Sequence, residues 1–190
     1  MTGNSIRVVA FSGSLRRGSL NRRLLEAAIA LAPRGMEITR IGLGNVPLYD
    51  GDVEAAGDPR SVTRLKEAIR AADALLIATP EYNHSIPAVT KNAIDWASRP
   101  PSDPPLGEKP VALMGASPAR TGARRGLEHA RIALEAAGAR VIPEEVAVAR
   151  APRAFDAEGH LIDEPTRREV GALLAALGAA IDEQAAHAAA

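Results

Sequence analysis

Short apolar runs alternate with stripes of helical spacing along almost the whole chain, and few folds satisfy that alternation. Val8–Phe11, Ala74–Ala78 and Val111–Met114 are continuously apolar, as strands buried on both faces of a sheet must be. Met36–Ile41 and Arg140–Val148 are half polar, carrying Glu37, Thr39 and Arg40 in one and Glu144 and Glu145 in the other. Between these runs Leu20, Leu24, Ala28 and Leu31 recur at helical spacing, as do Val62, Leu65 and Ile69. Ile86, Val89, Ala93 and Trp96 form a third stripe, with Trp96 read as a packing or interface residue. Leu127, Ala130, Leu134 and Ala137 form a fourth, and Val170, Leu173, Leu177 and Ile181 the last. Helices alternating with strands predict βα units and a parallel sheet covered on both faces. Half-polar strands belong at the edges, which predicts the order 2-1-3-4-5 of a flavodoxin-like, three-layer α/β sandwich.

The length predicts one domain over residues 1–190, with the Ala-rich segment 185–190 expected to fray. Lys and Arg total 23 against 23 Asp and Glu, so no global field points to nucleic acid. The absence of Cys excludes disulfides, thiolate metal sites and thiol nucleophiles. His84, His129, His160 and His187 have no metal-ligand spacing. No apolar stretch is long enough to span a bilayer and Met1–Ile6 has no signal-peptide pattern, so the expected location is cytoplasmic, without membrane insertion.

Three loops carry unusual chemistry. The first, Ser12–Asn21, joins the first strand to a helix starting near Ser19, and Arg16, Arg17, Arg22 and Arg23 crowd its positive end. An anion bound there resolves the conflict: the Ser12, Ser14 and Ser19 hydroxyls, the Asn21 amide and backbone N–H groups freed by Gly13 and Gly18 would surround a phosphate. The alternative is an ordinary Ser19 N-cap with solvated arginines. The second loop, Thr79–Pro87, ends its strand at Pro80 and offers donors and acceptors from Glu81, Tyr82, Asn83 and Ser85 to the edge of a planar heterocycle. Ser85 is also the expected cap of the next helix, with Pro87 in its first turn. The third, Gly115–Gly122, opens a helix near Ala123 whose positive end could face a charged ring. Arg120, Arg124 and Arg125 there read equally as surface or subunit-contact residues. Doubly wound sheets bind ligands beyond the carboxyl ends of their strands, where these loops would meet. Asp163 or Thr166 is expected to cap the final helix, and the proline-rich Arg99–Lys109 reads as a stiff surface connection.

These loops, with Lys91-Asn-Ala-Ile-Asp-Trp96 and Lys109-Pro-Val, resemble the NADPH-dependent FMN reductase family over roughly Ile6–Glu183. That family comprises flavodoxin-like bacterial quinone, chromate and azo-dye reductases. The resemblance implies that Ser14, Arg16, Ser19, Leu20 and Asn21 bind the FMN phosphate. It implies that Pro80, Glu81, Tyr82, Asn83 and Ser85 hold the ribityl chain and ring, with Ser117 near the pyrimidine edge. Thr90 departs from the family pattern, where a larger apolar residue is common, and Pro118-Ala119 replaces a more glycine-rich stretch.

The implied activity is ping-pong reduction of quinone-like acceptors, chromate, azo dyes or free flavin. NADPH or NADH is the hydride donor, FMN the tightly bound carrier, and no side chain is required as a proton shuttle. The implied assembly is a homodimer, with a tetramer as the larger alternative. Two other readings compete. A flavodoxin-type electron carrier fits poorly with zero net charge and 3% aromatic residues. A hydrolase using Ser85, His84 and Glu81 lacks a G-x-S-x-G elbow.

Overall fold

In the computed structural model, which describes residues 5–188, five parallel strands form one sheet in the order β2-β1-β3-β4-β5. The strands are β1 (Ile6–Ser12), β2 (Met36–Arg40), β3 (Ala74–Ala78), β4 (Pro110–Ala116) and β5 (Arg140–Val148). The helices are α1 (Leu20–Ala30), α2 (Gly51–Ala56), α3 (Arg60–Ala71), α4 (Ala88–Ala97), α5 (Arg124–Ala136) and α6 (Glu164–Ala188), with a 3-10 turn at Ala151–Arg153. The expected order is observed, and for the expected reason. Every residue of β3 and β4 is buried, whereas β2 and β5 expose Glu37, Glu144 and Glu145 at the edges.

Strand alternation divides the core into two layers. Val8, Ala10, Leu76 and Met114 face α1 and α6, meeting Leu24, Leu25, Val170 and Leu177. Val9, Phe11, Ile77 and Leu113 face α3, α4 and α5, meeting Val62, Ile69, Trp96 and Leu127. The register of β4 against β5 slips between Val111 and Leu113 opposite Pro143. A proline without an N–H is tolerated at such an edge irregularity.

Several expectations are corrected. Pro87 is the N-cap of α4 rather than a first-turn residue, no side chain caps that end, and Ile86 precedes the helix. Ser85 is therefore not the cap: its Oγ lies 2.9 Å from His129 Nδ1. Asp163 does cap α6, accepting from the Thr166 N–H at 3.0 Å and the Thr166 hydroxyl at 2.6 Å. The segment expected to fray from Ala185 continues α6 as far as Ala188; Ala189 and Ala190 lie outside the described residues. The Arg99–Lys109 connection runs over the surface in turns but is anchored by Leu106, which is 1% exposed.

The sequence reading assigned no element between β2 and α3. There the chain forms α2, preceded by a segment fastened to α4. Asn92 Oδ1 accepts the Tyr49 N–H at 2.8 Å, while Asn92 Nδ2 and Trp96 Nε1 both donate to the Pro47 carbonyl at 2.8 Å. Trp96 is fully buried, so it is a packing residue that also ties down a loop. Tyr49 packs edge-on against it with ring centroids 5.0 Å apart. The Tyr49 hydroxyl and Arg99 both donate to Glu54, in that order holding its carboxyl below the ordinary range; the same bond to Glu54 pushes the Tyr49 hydroxyl up.

Candidate active site

At the carboxyl end of the sheet, where the strand order reverses between β1 and β3, three segments distant in sequence line one cavity of about 330 Å³. Ser14, Arg16, Ser19, Leu20, Asn21, Pro80, Glu81, Tyr82 and Ser117 all reach it. Asn83 and Ser85 do not line it. Gly18, placed in the anion cradle from the sequence, lines it too, and Ala116, Pro118 and Pro152, which the sequence reading did not select, complete the walls. Pro152 follows the left-handed Arg150 in the 3-10 turn after β5. Its only sequence signal is its place beyond the last strand.

Small residues make the convergence possible. A Cβ on Gly13 would lie 2.0 Å from Thr90 Oγ1 and 2.9 Å from Thr79 Oγ1. One on Gly126 would lie 2.9 Å from the Pro80 carbonyl, so the first turn of α5 rests directly on the second loop.

The Ser12–Asn21 loop is compatible with both readings offered for it. Ser19 is the N-cap of α1, its Oγ accepting from the Arg22 N–H at 3.2 Å. Its hydroxyl proton remains available for a second, anionic partner. Leu20 and Asn21 open the helix, where backbone N–H groups lack intrahelical acceptors. Ser14 and Ser19 are buried in the floor of the cavity, while Arg16 is exposed at its rim. Anion-binding N–H groups, donating hydroxyls and an unobstructed guanidinium fit a phosphate monoester.

The Asn21 side chain has another task. Its Nδ2 donates to the Ala116 carbonyl at 2.9 Å and its Oδ1 accepts the Ala116 N–H at 2.9 Å. The expected amide–phosphate contact is thus replaced by a clamp joining α1 to the end of β4, and Asn21 offers the cavity its backbone.

The carboxylate of Glu81 is also engaged elsewhere. Oε2 accepts the Arg125 N–H at 3.1 Å at the start of α5, and Oε1 lies 3.2 Å from His84 Nδ1. An acidic group therefore already meets the positive end of α5. That helix does not line the cavity; the third loop contributes Ser117 and Pro118 instead. Ser117 Oγ accepts the Ala119 N–H, and its backbone pairs with Val148 and Ala151, fixing the loop against β5.

The second loop turns back on itself. Tyr82 and Ser85 exchange both backbone hydrogen bonds, at 2.9 and 3.0 Å, around Asn83 (φ 52°) and His84 (φ 63°). Positive φ at both central residues is the two-residue hairpin geometry, and it carries Asn83 and Ser85 away from the cavity. Tyr82 stays at the rim, 46% exposed. Ser85 pairs with His129 and not with His84, so the Ser85–His84–Glu81 arrangement of the hydrolase reading is not formed.

The model of the NADPH-dependent FMN reductase family matches residues 6–153. Over 175 residues the chain is 48% identical to the NAD(P)H-dependent FMN reductase PA1204 of Pseudomonas aeruginosa, covering 92% of this chain and 94% of the relative. It is 38% identical over 177 residues to the quinone reductase of Escherichia coli K12, covering 91% and 94% respectively. Among solved structures it is similar to FerB, a flavoenzyme NAD(P)H:(acceptor) oxidoreductase from Paracoccus denitrificans. The TM-score is 0.86 at 35% identity, covering 94% of this chain and 98% of that one.

Proposed function

The chain belongs to the NADPH-dependent FMN reductase family, and from that premise we propose that it catalyses two-electron reduction of quinones with ping-pong kinetics. It is an oxidoreductase that uses FMN and NAD(P)H. The observation that carries the proposal is the single cavity built from phosphate loop, Pro80–Tyr82 and Ser117. When bound, FMN supplies the chemistry, taking a hydride from NAD(P)H and passing two electrons to the acceptor.

The protein binds and orients. Ser14, Ser19 and the Leu20 and Asn21 N–H groups hold the phosphate, and Arg16 neutralises it. Pro80, Glu81 backbone and Tyr82 form the wall on the ribityl and ring side, with Ser117 opposite. No residue of the cavity needs to move a proton. Of the ion-paired arginines Arg7, Arg40, Arg70, Arg99, Arg131 and Arg167, none lines this cavity, and Arg40, paired with Glu26, lines a neighbouring depression with Ser14. Arg16 and Arg17 on the first loop and Arg120 on the third are exposed and favour approach of an anionic nucleotide.

The 38% identity to a quinone reductase supports the acceptor class. Chromate, azo dyes and free flavin are proposed as further acceptors. A homodimer, or a tetramer built from it, is supported by a depression of about 710 Å³ beside α4 and α5, lined largely by Ile86, Ala88, Ile132, Ala133 and Ala136. Among the described residues no helix is long and apolar enough to cross a membrane, and a cytoplasmic site of action completes the proposal.

The test is an anaerobic titration. NADPH should bleach the flavin of the purified yellow protein, benzoquinone should restore the colour, and initial rates should give parallel double-reciprocal lines. A protein that is bleached and recoloured once but sustains no turnover would instead be a carrier.

A further inference from the structure

Thr79 and Thr90 are fully buried, and their hydroxyls lie 2.9 Å apart beneath the cavity without lining it. A buried hydroxyl needs a partner for its proton. Thr79 Oγ1 has the Pro80 carbonyl as acceptor, at a long 3.4 Å. If Thr79 donated to Thr90 instead, the Thr90 proton would have no acceptor among the described residues. The order is therefore Thr90 to Thr79 to the Pro80 carbonyl, a relay from α4 to the backbone of the second loop.

The same two oxygens support the first loop. Gly13 donates its N–H to the Ala78 carbonyl at 2.9 Å and sits on the pair so closely that no Cβ fits. The third loop meets Thr79 as well: a Cβ on Gly115 would lie 2.9 Å from the Thr79 carbonyl. All three loops that form the cavity are thus referenced to Thr79, and Thr79 to Thr90. A methyl in place of the Thr90 hydroxyl would need about 3.5–4.0 Å from the Gly13 carbon and would push the phosphate loop outward.

Given the FMN reading above, we infer that the Thr79–Thr90 hydroxyl pair is a positioning device, setting the phosphate loop at the height that suits the Pro80–Tyr82 wall. Neither residue touches the ligand. Their effect is on the span between the end that holds phosphate and the end that holds the ring.

The experiment measures FMN release from holoprotein on dilution, read by recovery of flavin fluorescence, beside the thermal midpoint of the FMN-free protein. Thr90→Val should release FMN about tenfold faster, because a phosphate loop pushed outward loses the equivalent of one hydrogen bond to the ligand. Its FMN-free midpoint should shift by no more than about 3 °C. Thr90→Ser, which keeps the hydroxyl, should stay within about twofold of the parent. Thr79→Val breaks the relay from its other end and should match Thr90→Val in FMN release, with a larger loss of FMN-free midpoint because the buried Thr90 hydroxyl is left without an acceptor. Parent-like release in both valine variants overturns the inference, as does a serine variant that behaves like valine. In Thr90→Val, an FMN-free midpoint that falls in proportion to FMN loss also overturns it, because the pair would then be ordinary packing. A parent protein that holds no FMN sinks the FMN reading as well, which separates the two failures.

Discussion

Replacing Asn21 by leucine should destabilise the protein even when no FMN is bound. β3 pairs with β4 only as far as Met114, and the Thr79 N–H closes that ladder on the Met114 carbonyl. Ala116, still paired with Val148 of β5 on one side, then has no strand on the other. The Asn21 amide takes the missing strand's place with bonds of 2.9 Å in each direction, and both residues are 3% exposed. Leucine is close in size but offers neither group. An N–H and a carbonyl would be left buried and unpaired at about 1–3 kcal/mol each, against which the greater apolarity of leucine returns about 1 kcal/mol. The net loss is about 1–5 kcal/mol, which for a chain of this length lowers the thermal midpoint by on the order of 10 °C. Asn21→Ala should lose less, since the vacated space admits a water that can bond Ala116. The assay is thermal unfolding of the FMN-free protein. If Asn21→Leu melts within about 2 °C of the parent while its FMN affinity falls, the side chain serves the phosphate directly and the clamp is incidental.

Arg16→Ala should weaken FMN retention by about tenfold, through loss of a charge-assisted contact, and leave the FMN-free midpoint unchanged; unaltered affinity by fluorescence titration would remove Arg16 from the phosphate site. Raising ionic strength from about 20 mM to about 200 mM should lower kcat/KM for NADPH more than for NADH, because the arginine-rich mouth acts on charge; equal slopes would deny that role. Glu54 has its carboxyl held below the ordinary value of 4.5, first by Tyr49 and then by Arg99, so its contribution is fully present above that value and is lost as pH falls through the lower folded value. Emission from Trp96, the single tryptophan, should report loosening of the Tyr49 segment in that acid range, and the change should be absent in Glu54→Gln. His84→Ala should leave reductase turnover largely intact, since His84 contacts Glu81 and Arg125 outside the cavity; near-total loss in a steady-state assay would restore a catalytic histidine.

The fold was legible because burial acts on whole strands. An uninterrupted Ala74–Ala78 can only be central, and an Arg140–Val148 bearing Glu144 and Glu145 can only be an edge. The cavity was legible for a related reason: a strand, a turn rich in glycine and serine, and a helix start place backbone N–H groups by chain order alone. Side-chain partners were not legible. Asn21 bonds a residue 95 positions away, Glu81 one 44 away and Asn92 one 43 away, and nothing local distinguishes these bonds from bonds to a ligand. An amide or carboxylate beside a phosphate loop has the same donors and acceptors whichever partner it takes.

That indifference points to a division of labour within the motifs. In Gly13–Asn21 the groups offered to the cavity are hydroxyls, one guanidinium and backbone N–H groups, while the Asn21 side chain ties the loop to β4. In Pro80–Asn83 the Glu81 carboxylate fastens α5. Within Lys91–Trp96, Asn92 and Trp96 hold the Pro47–Tyr49 segment and do not line the cavity. A motif of this kind is specific because several loops must be locked to one another before their backbones can converge, and each lock needs one residue type. Substitutions at the locking residues should consequently lower stability with and without FMN. Substitutions at Ser14 or Arg16 should act only when the cofactor is bound, so comparing thermal midpoints in the two states sorts motif residues into locks and contacts.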